Sequence, residues 1–240
     1  MHNPANYPGI EVAEKTFNKA TQVAVFDTAF HQTMPETAFR YGIPKTFYAN
    51  TGIRAYGFHG TSHKYVTEKT LDYLQNPQAK IITIHLGNGC SMAAVNAGKS
   101  VDTTMGFGPL AGLVMGTRSG DIDPSVIFYL VNQLGYSLEQ VNTLLNRNSG
   151  MLGLTGNSDM RDMLKAKAAG NKEAELAYGM YAYRIKKYIG AYAAGMNGLN
   201  AIVFTAGVGE NDVEIRRMVC TEMDYLGIKL DEKKKQNRQW

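Results

Sequence analysis

The chain has 240 residues, with 25 Lys and Arg against 21 Asp and Glu, a formal net charge of +4. A composition 44% hydrophobic and 19% charged is that of a folded globular protein, and so small and evenly spread a charge points neither to nucleic acid nor to a membrane surface. Two cysteines, Cys90 and Cys220, make no disulfide framework and suggest a reducing cytoplasm.

The opening MHNPANYPG lacks the basic and apolar regions of a signal peptide. Residues 188–209 form the longest uncharged stretch, but their five glycines and two asparagines read as a helix end, a loop and a buried strand. The basic run Lys233, Lys234 and Lys235 reads as a solvated helix end.

In chain order, residues 22–27 (QVAVFD) predict a buried strand closed by an acid. Residues 61–74 carry Tyr65, Val66, Leu71 and Leu74 at helical spacing, with Thr61 or Ser62 as N-cap. Residues 80–86 (KIITIHL) predict a strand, and the turn 87–89 returns it as a hairpin through 91–95. Asp123 and Pro124 mark a helix start, and Ser137 with Gln140 forms a capping box. A long helix is expected over 172–194. Residues 200–205 then predict a strand ending in a glycine loop, AGVGEN, and Asn211 with Glu214 caps a last helix through 225. Strands alternating with helices predict an α/β protein.

Glycine is the unusual residue. There are 25 in 240, about 10% against roughly 7% in an average protein, and fifteen fall in five clusters between patterned segments. Clustered glycines let a backbone approach a ligand and turn its N–H groups inward, as phosphate requires. Known nucleotide signatures are nonetheless absent. In AGKS at 97–100, Ala93 stands where a Walker A loop needs its first glycine, so the segment reads as a strand turn. GFGPLA at 106–111 lacks a preceding strand. His59 and His63 are spaced like a zincin pair, but Gly60 replaces the glutamate, which argues against zinc.

The remaining segments suit phosphoryl transfer, each with an ordinary alternative. The turn at Gly87-Asn88-Gly89 reads equally as a plain hairpin, and 205–211 as a plain βα loop. Arg118, among small residues in MGTRSGD, is placed to reach a phosphoryl group or to make a surface ion pair. Asp27 is a candidate metal-binding or general-base position, or a turn cap, and His59 would either share an anion pocket or make a loop hydrogen bond. Together they form a kinase-like constellation.

Taken jointly, HNPAN (2–6), VFDTAFHQTMP (25–35), YGFHGTSHKYV (56–66), HLGNG (85–89), MGFGPLAGLVMGTRSGDIDP (105–124), SGMLGLTG (149–156) and FTAGVGEN (204–211) resemble the acetate kinase (acetokinase) family. The match runs in order from His2 to about Asp231. The resemblance implies the ribonuclease-H-like, actin-like ATPase fold shared by acetate and sugar kinases, Hsp70 and actin. It divides the chain into a remnant of a first domain at 1–31 and a second, nucleotide-binding domain at 32–240. It also implies reversible phosphoryl transfer between ATP and acetate, giving acetyl phosphate and ADP with Mg²⁺ or Mn²⁺, in a cytoplasmic homodimer.

By the same resemblance Asp27, His59 and Arg118 are catalytic, with His59 and Arg118 stabilising the transferring group and Asp27 helping to position acetate or metal. His85, Leu86, Gly87, Asn88 and Gly89 form a phosphate-contacting loop. Asp159, Met160 and Arg161 line the adenosine pocket, and Gly207, Val208, Gly209, Glu210 and Asn211 form a second nucleotide loop. His2 is a structural or organising histidine. The family's metal-binding asparagine and glutamate and its substrate arginine have no counterparts in the sequence, so no metal ligand is assigned. Two other readings are a propionate or butyrate kinase with the same site and, if these residues are the whole product, an inactive nucleotide-binding remnant.

Overall fold

The computed structural model describes residues 3–231; His2 and the lysine run at 233–235 lie outside the described residues. Helix α1 (Asn3–Thr16) is followed by a 3₁₀ turn (Ala29–Thr33) and the short helices α2 (Glu36–Phe39) and α3 (Lys45–Thr51). Helix α4 (Gly60–Leu74) leads into strands β1 (Lys80–Leu86), β2 (Cys90–Asn96) and β3 (Lys99–Thr103). Helices α5 (Pro124–Asn132), α6 (Leu138–Arg147), α7 (Gly150–Thr155), α8 (Met160–Ala168) and α9 (Lys172–Met196) follow. Strand β4 (Ala201–Thr205), α10 (Ala206–Asn211), α11 (Val213–Cys220) and a second 3₁₀ turn (Asp224–Leu226) complete the order.

The strands form one sheet in the order β3-β2-β1-β4. The expected hairpin is present, with Leu86 opposite Cys90 across the Gly87–Gly89 turn, while β4 joins the other side of β1 in parallel. Central β1 reads as an apolar run because it is covered on both faces. Side chains alternate along a strand. Ile82, Ile84 and Leu86 therefore enter the core built on α9, with Met92, Tyr178, Tyr181 and Ile185. Ile81 packs with Leu71 and Leu74 of α4 on the opposite face. Thr83 and His85 share that second face and hydrogen-bond to α4 side chains. Each fully buried Ile or Leu stabilises by about 1.5–3 kcal/mol, so the helix–sheet–helix sandwich is strongly held where the site forms.

Helix signals set by local chemistry are found as expected. Asp123 accepts from Ser125 N ahead of Pro124, and both bonds of the Ser137–Gln140 capping box are made. Four expectations need correction. Residues 22–27 form no strand: no ladder partner exists for them among the described residues, and Val23, Val25 and Phe26 are 77%, 74% and 69% exposed. A strand's backbone groups need such a partner.

Helix α4 is capped by neither Thr61 nor Ser62. Its N-cap is His59, in the left-handed conformation at φ 56°, because Ser62 Oγ pairs with His85 Nδ1 instead. The AGVGEN segment is a short helix, α10, rather than a loop. It turns directly off β4 at Ala206, and Gly209, having no side chain, packs against the strand ends. The last helix is capped by Asp212, which accepts from Ile215 N; Asn211 ends α10 with its amide on Gly207 O. Glu214 is engaged by Lys167 and Arg217, and α11 stops at Cys220.

Candidate active site

The C-terminal end of β1 and the N-terminal end of α4 meet at four histidines. His59 stacks on His85 with ring centroids 4.2 Å apart, while His63 lies 5.7 Å from His31 and 6.5 Å from His59. Hydroxyl groups hold their nitrogens. Ser91 Oγ lies 2.8 Å from His59 Nδ1 and 2.7 Å from His63 Nε2, and Thr83 Oγ1 lies 2.7 Å from His63 Nδ1. His31 is fully buried between Ser100 Oγ at 2.8 Å and Phe58 O at 3.0 Å.

Burial dominates the electrostatics here. It pushes the His59 pKa down to about 4, helped by His85, Arg118 and His31 and opposed by the carboxylate of Asp27. His63, wholly enclosed, is held well below the ordinary value by desolvation and then by its three histidine neighbours. His31 and His85 are also lowered, again chiefly by burial. The cluster is thus neutral near pH 7, a set of hydrogen-bonding groups rather than cations.

Asp27 sits at the rim, exposed. Its Oδ2 accepts the backbone N–H of His59, and its carbonyl accepts that of Gly60, at 2.8 Å each. Arg118 reaches the cluster from the 115–121 loop. Its Nη1 donates to Pro109 O at 3.0 Å. The loop is pinned by Gly116 N on Asn88 O, Met151 N on Met115 O and Leu152 N on Gly116 O. Gly150, at φ 61°, leaves no room for a side chain beside Met115 O and Arg118 O, so glycine is required where α7 supports this loop.

Gly89 fixes the convergence. A Cβ built on it would lie 3.4 Å from both Arg118 Nη1 and His59 Nε2. A guanidinium and an imidazole therefore flank one bare stretch of backbone, where an anion can approach without meeting a side chain. Asn88, on the same turn, lines a cleft of about 720 Å³ together with Gly87, Asp159, Met160, Arg161, Gly207, Val208 and Asn211. Asp159 caps α8, and Arg161 grips it through Nε to Oδ1 at 3.0 Å and Nη2 to Oδ2 at 2.6 Å. That pairing holds the Asp159 carboxyl at about 2, below the usual carboxylate range.

The structure thus brings His59, Arg118, Asp27 and the 87–89 turn together, and sets the 159–161 and 207–211 segments around the adjoining cleft. Leu86 and Gly209 are structural neighbours of that cleft rather than lining, and the side chain of His85 belongs to the histidine cluster. Glu210 is exposed, with Oε1 3.5 Å from Thr205 Oγ1, and does not line it. Sequence reasoning missed Ser91, Thr83, Ser62 and Tyr181. Tyr181 lines the cleft and meets Cys90 Sγ through its hydroxyl at 3.0 Å. The only available signal was for Thr83, a polar residue alternating with apolar ones in β1.

The acetokinase family model matches residues 1–239 of the chain. The chain belongs to the acetokinase family. It is 61% identical over 238 residues to an acetate kinase of Flavobacterium johnsoniae and 55% identical over 240 residues to one of Carboxydothermus hydrogenoformans, covering 99% of this chain in each case. It spans about 60% of the length of these curated relatives. Among solved family structures, an acetate kinase of Porphyromonas gingivalis superposes with a TM-score of 0.94 at 48% identity, covering 98% of this chain and 60% of that one. A propionate kinase of Francisella tularensis gives 0.94 at 46%, covering 98% and 61%. The acetokinase fold, of the ribonuclease-H-like and actin-like ATPase class, is thus the fold of this chain.

Proposed function

We propose that these residues form the phosphoryl-transfer half of an acetate kinase, which phosphorylates acetate reversibly with ATP. The observation that carries the proposal is the convergence of Arg118 Nη1 and His59 Nε2 over Gly89, next to a cleft large enough for a nucleotide. Phosphoryl transfer asks little covalent chemistry of a protein. It needs reactants held in line and charge on the equatorial oxygens offset. A fixed guanidinium and a neutral imidazole donor, partly desolvated, supply that offset. Acetate is already ionised near neutral pH and needs little general-base help, so Asp27 serves better to orient the first turn of α4 and the entering groups.

ADP or ATP would occupy the cleft, with the base near Asp159–Arg161 and the phosphates toward Asn88 and the 207–211 segment. No group of three or more His, Cys, Asp or Glu is placed to hold a metal ion among the described residues. Magnesium fits in a narrower sense, carried mainly by phosphates and water with Asp27 as a carboxylate partner, and when bound it would neutralise phosphate charge. The proposal includes a division between a first-domain remnant at 1–31 and a nucleotide-binding domain at 32–240. His31, the last residue of the first part, is buried and bonded to Ser100 and Phe58 of the second. It further includes a homodimeric, cytoplasmic enzyme. Among the described residues no helix is long and apolar enough to cross a membrane.

A propionate kinase is the second reading, since the Francisella tularensis neighbour of that name shares the fold as a member of the same family. One methylene is worth only about 1–3 kcal/mol in a pocket, so both acids can be substrates. The test is a coupled assay of ADP formation with acetate, propionate and butyrate, on a family-length protein containing these residues. Arg118→Ala should lower kcat by on the order of 10²–10³ while leaving nucleotide affinity nearly unchanged. An unchanged kcat overturns the proposal.

A further inference from the structure

We infer that Thr83, His63 and Ser91 form a one-way hydrogen-bond chain that fixes His59 as the tautomer carrying its proton on Nε2, facing Arg118 and the 87–89 turn. Thr83 and His63 are therefore positioning residues, acting on the site through Ser91.

The direction follows from counting protons along four groups. Thr83 Oγ1 meets His63 Nδ1, His63 Nε2 meets Ser91 Oγ, and Ser91 Oγ meets His59 Nδ1. Thr83, His63 and Ser91 are all 0% exposed, so bulk water is not available to them. Among the described residues, neither hydroxyl has another hydrogen-bond partner. Each hydroxyl has one proton to give, and each neutral imidazole one donor and one acceptor nitrogen.

Suppose first that the chain ran outward from His59. Its Nδ1–H would donate to Ser91, Ser91 to His63, and His63 Nδ1–H to Thr83. The Thr83 proton would then be buried with no acceptor, at the full desolvation cost of a lost hydrogen bond. If both histidines donated to Ser91, the serine proton would be stranded in the same way. If both accepted, a single serine proton would have to serve two nitrogens. A doubly protonated imidazole is opposed by burial at both histidines. One arrangement gives each buried hydroxyl proton and the His63 proton an acceptor: Thr83 O–H to His63 Nδ1, His63 Nε2–H to Ser91 Oγ, and Ser91 O–H to His59 Nδ1. His59 must then hold its own proton on Nε2.

The tautomer assignment stands on this hydrogen-bond geometry and proton count, with both buried imidazoles neutral. Its use, presenting an N–H donor to a phosphoryl oxygen, rests on the phosphoryl-transfer reading above. With the opposite tautomer, His59 would turn a lone pair toward the anion and repel it. Thr83 thus sets the polarity of an active-site donor through His63 and Ser91, two side chains removed from His59.

The test is long-range ¹H–¹⁵N correlation spectroscopy of this chain labelled at histidine nitrogens, near neutral pH. Expected in the unsubstituted chain are a pyrrole-type shift at Nε2 and a pyridine-type shift at Nδ1, for both His59 and His63. A pyrrole-type Nδ1 at either histidine overturns the inference and requires no variant. Thr83→Val should let His63 redistribute between tautomers and carry His59 with it, and Thr83→Ser should restore the original pattern. Retention of both single tautomers in a folded Thr83→Val chain overturns the positioning role of Thr83. If the tautomers are as expected but Arg118→Ala leaves kcat unchanged, the chain stands and the phosphoryl-transfer reading falls.

Discussion

The backbone N–H of His59 donates to Asp27 Oδ2 at 2.8 Å, across 32 positions of sequence. With Gly60 N on the carbonyl of the same aspartate, one residue grips both peptide groups that open α4. It thereby holds His59 in a left-handed conformation, which costs a non-glycine residue about 1–2 kcal/mol. Asp27 therefore orients the imidazole as well as lying beside it.

Gly60→Ala should reverse the usual sign of a glycine-to-alanine change in a helix. Alanine is normally favoured by about 1 kcal/mol, but a Cβ here would run into Asp27 O. Overpacking of this kind costs about 1–3 kcal/mol. Urea unfolding should show a lower midpoint with an unchanged slope; a stabilised variant would contradict the close approach.

Gly89→Ala separates binding from chemistry. The added methyl would sit at ordinary contact distance, 3.4 Å, from both Arg118 Nη1 and His59 Nε2, so the fold should survive. It fills the place where a phosphoryl group would lie. In a family-length protein, ADP affinity should hold while phosphoryl transfer falls by on the order of 10²-fold. Equal losses in both would place the group elsewhere.

His59 should stay neutral until the pH falls to about 4. Its pKa is depressed on folding, so the unfolded chain binds the proton first. The stability contributed by this group is fully present above the ordinary value of 6.5. It declines as pH drops from 6.5 to about 4 and changes no further below that. Ring-proton chemical shifts followed from pH 8 to the acid limit of the fold give the midpoint; one near 6.5 would mean an open, hydrated site.

Arg161→Ala should weaken ADP binding by on the order of 10-fold and raise the Asp159 midpoint toward the ordinary carboxylate range. With Arg161 in place, the Asp159 interaction is intact above that range and is lost as pH falls through about 2. Calorimetric titration with ADP and a carboxylate-resolved pH titration read the two effects. Unchanged ADP affinity would remove this pair from the nucleotide site.

What could be read from the sequence was chemistry confined to a few neighbouring residues. Asp123-Pro124, the Ser137–Gln140 box and the 87–89 hairpin each carry their instructions within four positions, and all are found. Residues 22–27 carry the same apolar signature as β1 but find no ladder partner among the described residues, a fact that lies outside the segment itself. Asn211 and Asp212 are both good caps, and only the turn of α10 against β4 decides between them. Within the site, Arg118, His59 and the glycine turns stand out by residue type. Ser91 and Thr83 do not, since small hydroxyls in strands are ordinary, and their partner His63 lies 28 and 20 positions away.

The alternation along β1 has a consequence for how this protein can change. Odd-numbered Thr83 and His85 serve the histidine cluster, and even-numbered Ile82, Ile84 and Leu86 serve the core. Deleting or inserting one residue in the strand would exchange the two sets, sending imidazole and hydroxyl into the apolar interior and isoleucine into the site. Substitutions can therefore accumulate in β1 one at a time, but length changes cannot. Drift by insertion or deletion should be confined to the exposed connections, such as the one between α5 and α6.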